Sequence, residues 1–184
     1  MTPLDRAIHA ITQTLESLNI PYAIVGGIAN AVWGEPRATI DVDVTVSVEP
    51  ADLPKTILAI AAPFHAAVAD PAGFVEQTRV LPLDTPDGVR IDVIFALLPF
   101  ELDAIRRARR LSLAGRTVAV VTPEDLVLMK IISDRPRDVA DAEAIVRRRA
   151  GELDRAYIEP RIRELAAALA REDVLERWRR WANV

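Results

Sequence analysis

Asp41 and Asp43 stand two residues apart in Thr39-Ile40-Asp41-Val42-Asp43-Val44-Thr45-Val46, a run in which polar and apolar residues alternate. Alternation of this kind predicts a strand over 39–46, and on a strand residues i and i+2 share a face. Two carboxylates aimed at one point repel each other, and each makes the other harder to ionise. A divalent cation such as Mg2+, which takes hard oxygen ligands, relieves that repulsion. The same Asp-x-Asp also fits a solvated strand face. Asp92 is a third carboxylate, set among Ile91, Val93, Ile94 and Phe95. Aspartate is disfavoured inside strands, and a charge there needs a partner: Arg90, a hydrogen-bond donor or a metal. If the two strands lie side by side, three carboxylates converge, as metal-assisted phosphoryl or nucleotidyl transfer requires.

Gly26-Gly27 separates the apolar run Tyr22-Ala23-Ile24-Val25 from a short helical segment. Glycine lets a backbone approach a ligand closely, and a helix N-terminus offers unpaired N–H groups to an anion. A Gly-Gly turn made only for packing has the same appearance, and neither G-x-G-x-x-G nor the P-loop pattern is present. Lys130 stands out because only Lys55 and Lys130 among the 23 basic residues are lysine. On an apolar helix it is either a snorkelling surface residue or a point charge for a triphosphate. Asp138 and Asp141 sit one helical turn apart, suited to capping or to ion pairs with Arg135 or Arg137. His9 and His65 are isolated, and Trp178 and Trp181 read as helix-packing residues, with base stacking as the lesser alternative.

The elements that must position these side chains are legible in part. Apolar spacing predicts a helix over 3–18, a strand over 22–25 and a short helix from Ile28 to Trp33. After the 39–46 strand come a helix over 54–62, then strands over 74–84 and 89–96 joined through Pro86-Asp87-Gly88. A helix over 99–110 and a strand over 116–121 follow. Thr122-Pro123-Glu124-Asp125 opens a further helix: Thr at the cap, Pro at the first helical position and an acid three residues after the cap. Pro136 interrupts it, and the chain reads as helical from Arg137 to the end. The expectation is an α+β domain over 1–121 with a mixed sheet flanked by helices, followed by a helical region over 122–184 packed on it.

Composition narrows the class. The chain has 184 residues, 51% of them apolar and 27% charged, within the range of an ordinary globular protein. No apolar run approaches the ~20 residues that span a bilayer, and the N-terminus reads as an amphipathic helix, so a cytoplasmic location without a membrane partner is expected. With no cysteine, disulfides and thiolate zinc sites are excluded. The net charge of −4 is uneven: residues 135–184 carry 12 Arg against 10 acids. That tail is either a set of solvated helix faces or a surface for a polyanion such as RNA.

The order Val25-Gly26-Gly27, Arg37-Ala38-Thr39-Ile40-Asp41-Val42-Asp43 and a later strand Asp92 resembles the DNA polymerase β-like nucleotidyltransferase superfamily. More narrowly, Gly26 to Val44, the Lys130 helix and Arg135-Pro136-Arg137-Asp138-Val139-Ala140-Asp141 are similar to the AbiEii/AbiGii-type toxin nucleotidyltransferases and their bacterial relatives. The resemblance covers about residues 20–145. It implies a nucleotidyltransferase fold and a transfer of NMP from an NTP, with Mg2+ or Mn2+ held by Asp41, Asp43 and Asp92. It also implies nucleotide contacts from Gly26, Gly27, Arg37, Thr39, Lys130 and Asp138, with Lys130 counted among the catalytic groups. The acceptor hydroxyl would belong to RNA or tRNA, a protein or a small molecule, and a cognate antitoxin is a further expected partner. A non-catalytic nucleotide-binding or interaction module with the same fold is the alternative. Many members of the superfamily have Ser after the glycine; here Ile28 follows Gly27, so phosphate binding would rest on backbone N–H groups with Arg37 or Thr39.

Overall fold

The computed structural model describes residues 1–182 as two compact units. One comprises residues 1–28 and 38–121; the other comprises residues 29–37 and the chain from Thr122 onward.

The first unit is built on a seven-stranded mixed sheet. Helix α1 (Pro3–Ser17) starts at Thr2, whose hydroxyl accepts from the Asp5 N–H while the Asp5 carboxylate accepts from the Thr2 N–H, a reciprocal capping box. It buries Ile8, Ile11 and Leu15, as the spacing predicts. Strand β1 (Tyr22–Ile24) leads into α2 (Gly26–Trp33), which begins in this unit and ends in the other. Then come β2 (Asp41–Val46), α3 (Leu53–Ala61), β3 (His65–Ala66), α4 (Pro71–Thr78), β4 (Val80–Asp84), β5 (Arg90–Phe95), α5 (Pro99–Arg107), β6 (Arg109–Leu113) and β7 (Arg116–Val120). The sheet order is β3-β4-β5-β2-β1-β7-β6. β2 runs parallel to β5, and β1 parallel to β7; the other pairs are antiparallel.

Val42, Val44, Ile91 and Val93 are fully buried on one sheet face, so the alternation in β2 and β5 places their polar positions on the other. The hairpin expected at Pro86-Asp87-Gly88 joins β4 to β5, with Gly88 at φ +76°.

Besides β2, which starts at Asp41 and not at Thr39, two longer stretches differ from expectation. Residues 74–78 lie in α4, not in a strand, because Asp70 caps a helix there: its carboxylate accepts from the Gly73 N–H, and Pro71 stands at the first turn. The helix expected over 99–110 stops at Arg107, and the chain turns into β6. A two-residue turn at Ala114-Gly115, both with left-handed φ, returns β6 into β7.

The second unit gathers residues 29–37 with four helices: α6 (Pro123–Ile131), α7 (Pro136–Arg148), α8 (Arg155–Ala168) and α9 (Glu172–Ala182). Thr122 caps α6 as its sequence predicts, accepting from the Asp125 N–H. The run expected to be helical from Arg137 is broken twice. Asp154 caps α8 by accepting from the Tyr157 N–H, and Ala170, at φ +52°, follows the end of α8. The last two residues of that expected helix, 183 and 184, lie outside the described residues. Among the described residues, no helix is long and apolar enough to cross a membrane.

Candidate active site

The parallel register of β2 with β5 sets Asp43 directly beside Asp92 and Asp41 beside Arg90. Since Asp41 and Asp43 share a face and Asp92 is the cross-strand neighbour of Asp43, all three carboxylates project from the same face of the sheet. Each is only partly exposed. On the far side of β5, Pro82 pairs with Asp92, and Asp84 pairs with Arg90. Arg90 spends its guanidinium on Asp84, with Nε at 2.9 Å from Oδ1. Burial pushes the Asp92 carboxyl above its ordinary range; Arg90 works against that shift, and the Asp41 and Asp84 charges add to it.

The Gly26-Gly27 turn meets these side chains from the end of β1. The Val25 N–H donates to the Asp43 carbonyl at 2.9 Å, which carries the β1–β2 pairing up to the turn. Gly26 has φ +60°, and a Cβ on it would overlap the Asp43 carboxylate. A Cβ on Gly27 would fall 2.5 Å from the Thr39 Oγ1. That hydroxyl donates to Asp41 Oδ1 at 2.6 Å. Gly26 therefore faces the Asp43 carboxylate on β2 and Gly27 the Thr39 hydroxyl just before it, so Thr39 puts a hydroxyl beside Gly27 although Ile28 has none.

The donor set fits a hard divalent cation in kind: carboxylate oxygens from adjacent strands, on one face, with one carboxyl held above its ordinary range. Among the described residues, no three His, Cys, Asp or Glu side chains form a ready-made metal cage.

Lys130, Asp138 and Arg37 lie in the helical unit. Lys130 is 6% exposed and donates to Asp138 Oδ1 at 2.7 Å and to Asp141 Oδ2 at 2.9 Å. Ser133 Oγ donates to Asp138 Oδ2. Burial raises the Asp138 pKa, but the bonds from Lys130 and Ser133 and the charges of Lys130 and Arg135 bring it below the ordinary range. Arg37 Nη2 reaches Asp141 Oδ2 at 3.1 Å, so the partners of Asp141 include Lys130 and Arg37. Asn30, which is 1% exposed and carries no motif signal, donates to Asp141 Oδ1 and to the Glu35 carbonyl.

Comparison with known proteins gives a family and a fold. A family model described as nucleotidyltransferase of unknown function (DUF6036) matches residues 1–180. No curated protein matches the sequence. Among solved structures, the antibiotic-resistance factor ANT(2'')-Ia is similar at a TM-score of 0.57 and 18% identity, covering 92% of this chain and 96% of that one. The lincosamide antibiotic adenylyltransferase LnuA aligns at a TM-score of 0.51 and 13% identity, over 79% of this chain and 96% of that one. An antigenic nucleotidyltransferase-like protein from Paracoccidioides brasiliensis aligns at 0.50 and 21%, over 96% and 92%. Likeness at these identities shows the nucleotidyltransferase fold. With the family model spanning nearly the whole sequence, the chain belongs to the DUF6036 nucleotidyltransferases.

Proposed function

We propose that this nucleotidyltransferase moves a nucleoside monophosphate from an NTP to an acceptor hydroxyl in a reaction that depends on Mg2+ or Mn2+. The observation that carries this reading is the parallel register that puts Asp43 beside Asp92 on the face shared with Asp41. Asp41, Asp43 and Asp92 would hold the cation. When bound, it would neutralise phosphate charge and favour in-line displacement at the α-phosphorus.

The chain's own groups divide the remaining work. Backbone N–H groups at Gly26 and Gly27 receive phosphate oxygens at the start of α2. Thr39 turns its hydroxyl from Asp41 toward a phosphate, in place of the side chain that Ile28 does not supply. Asp92, with a raised pKa, accepts the proton of the attacking hydroxyl. The acceptor oxygen bonds to the α-phosphorus, the bond from that phosphorus to the β-phosphate oxygen breaks, and pyrophosphate leaves. The assignment of Lys130, Arg37 and Asp138 to the nucleotide rests on the resemblance to AbiEii-type enzymes, as does a role as a toxin with a cognate antitoxin.

Two acceptor classes are distinguished by experiment. The basic tail fits RNA, whereas ANT(2'')-Ia and LnuA, by name, concern antibiotics. Transfer of label from each of the four NTPs, with Mg2+, into total RNA and into a panel of aminoglycosides and lincosamides separates them. Asp41→Asn and Asp92→Asn should abolish labelling of whichever acceptor is used. Undiminished transfer in both variants would overturn the assignment.

A further inference from the structure

Residues 29–37 lie within the stretch of chain between Gly27 and Thr39, and a single stripe of α7 holds them. Asp141, Ile145 and Arg149 follow one another at intervals of four along α7 and its C-cap, so they lie on one helical face. Asp141 accepts from Asn30 Nδ2 at 3.3 Å and from Arg37 Nη2 at 3.1 Å, near the two ends of the stretch. Ile145 sits against Gly34, where an added Cβ would come 2.9 Å from Ile145 Cγ1 and 2.7 Å from Asn30 Oδ1. Arg149 closes the C-terminus of α2: its Nε donates to the Trp33 carbonyl at 3.2 Å, and its guanidinium lies 5.2 Å from the Trp33 ring centroid. A cation at the last carbonyls of a helix is where the helix dipole favours one.

The covalent consequence is direct. Asn30 is three residues after Gly27, and Arg37 is two residues before Thr39. Whatever holds 30–37 limits how the Gly26-Gly27 turn and the Thr39–Asp41 segment present themselves to one another. The stretch has little slack: Asn30 Nδ2 also ties down the Glu35 carbonyl at 3.1 Å.

We infer that Asp141 and Arg149 are positioning residues for nucleotide transfer. Neither touches the nucleotide; each acts through residues 29–37 to keep the Gly27 N–H and the Thr39 hydroxyl at the separation that a phosphate needs. This inference rests on the nucleotide reading of Gly26, Gly27 and Thr39 given above.

Arg149→Met keeps the bulk of the side chain and removes the cap, and Arg149→Lys restores a cation near the Trp33 carbonyl. Asp141→Asn keeps the shape and weakens the hub, and Gly34→Ala wedges the stripe from the other side. Titrate wild type and each variant with the four NTPs in Mg2+ by calorimetry, and follow amide hydrogen exchange over residues 26–41. Arg149→Met and Gly34→Ala should weaken NTP binding roughly tenfold or more, as small misplacements of binding groups do. Exchange at 34–41 should rise in step, and Arg149→Lys should recover most of the affinity. The split matters: KM for NTP should rise while kcat at saturation changes little. A loss confined to thermal stability, with NTP affinity unchanged in the variants, overturns the inference and leaves the nucleotide reading intact. Failure of the wild type to bind any of the four NTPs overturns both. A variant that does not fold is replaced in the comparison by Asp141→Asn against wild type, which removes the charge that Asn30 and Arg37 share; unchanged affinity and unchanged exchange at 34–41 in it overturn the inference.

Discussion

The carboxylate of Asp43 stands in the space that a β-carbon on Gly26 would need. Gly26 is therefore glycine for two reasons at once, its left-handed backbone and the acid above it. Gly26→Ala should cost about 1–2 kcal/mol from backbone conformation alone, with a further loss from displacing Asp43. Thermal unfolding should show the drop. Label transfer at saturating NTP should fall with it, because the displaced group is a proposed metal ligand.

Thr39 offers a cleaner test of phosphate binding. Thr39→Val keeps the shape and removes the hydroxyl that reaches Asp41 and overhangs Gly27. A hydrogen bond to a charged group is worth about 1.5–3 kcal/mol, so KM for NTP should rise by roughly tenfold or more. Thr39→Ser should stay near wild type. Equal KM values for Thr39→Val and wild type would remove the hydroxyl from the site.

Asp92 should show opposite effects on stability and on activity. Its folded pKa lies above the ordinary value, chiefly through burial. Ionising it therefore opposes folding: the two states match below about pH 4, near the ordinary aspartate value, and the penalty grows as pH rises through the raised pKa. Asp92→Asn should melt higher than wild type at pH 7, with the difference closing in acid, while transfer is lost. A melting temperature below wild type at pH 7 would contradict the burial argument.

Cation dependence is read without any acceptor. Mg2+ or Mn2+ should raise the melting temperature of the wild type, since a ligand bound only to the folded state stabilises it. Asp41→Asn and Asp92→Asn should lose most of that rise, and EDTA should abolish transfer in the wild type. Equal shifts in all three proteins would place the cation elsewhere.

In the helical unit, Lys130→Met should be destabilising whatever the reaction is. It leaves Asp138 and Asp141 with less positive charge in a nearly buried cluster, and breaking a buried pair costs about 3–5 kcal/mol. Asp138 has a lowered pKa, so the stability it contributes in the wild type is present above the ordinary aspartate pKa and is lost as pH falls through the lowered one. The stability gap between wild type and Lys130→Met should therefore narrow as unfolding is followed from pH 7 into acid.

What could be read from the chain was what is encoded locally. The caps at Thr2 and Thr122 announce α1 and α6, and the alternation in β2 and β5 announces strands with acids on one face. The helix at α4 was announced too, by Asp70-Pro71, but Val75, Thr78 and Val80 mimic a strand continuing into β4. The turn into β7 uses Ala114-Gly115 without the asparagine or aspartate that usually marks such turns, so β6 left no trace. The remainder depends on partners far apart in sequence. Nothing near Asn30 points to Asp141, 111 residues away, and nothing near Trp33 points to Arg149, 116 residues away. The acids of the candidate site were visible as types and spacing; that β5 lies beside β2, with Asp92 level with Asp43, is a property of the sheet.

That register also bears on how the chain avoids misfolding. A slip of β5 by one residue against β2 would swap the faces of its side chains, driving Asp92 and Arg90 into the valine and isoleucine layer and turning Ile91 and Val93 out to water. The acid that serves the proposed chemistry thus also penalises the wrong alignment of a parallel pair whose strands are distant in sequence. Neutralising Asp92 would relax that proofreading as well as the electrostatic strain, so a variant that is more stable once folded has more ways to reach a wrong sheet on the way there.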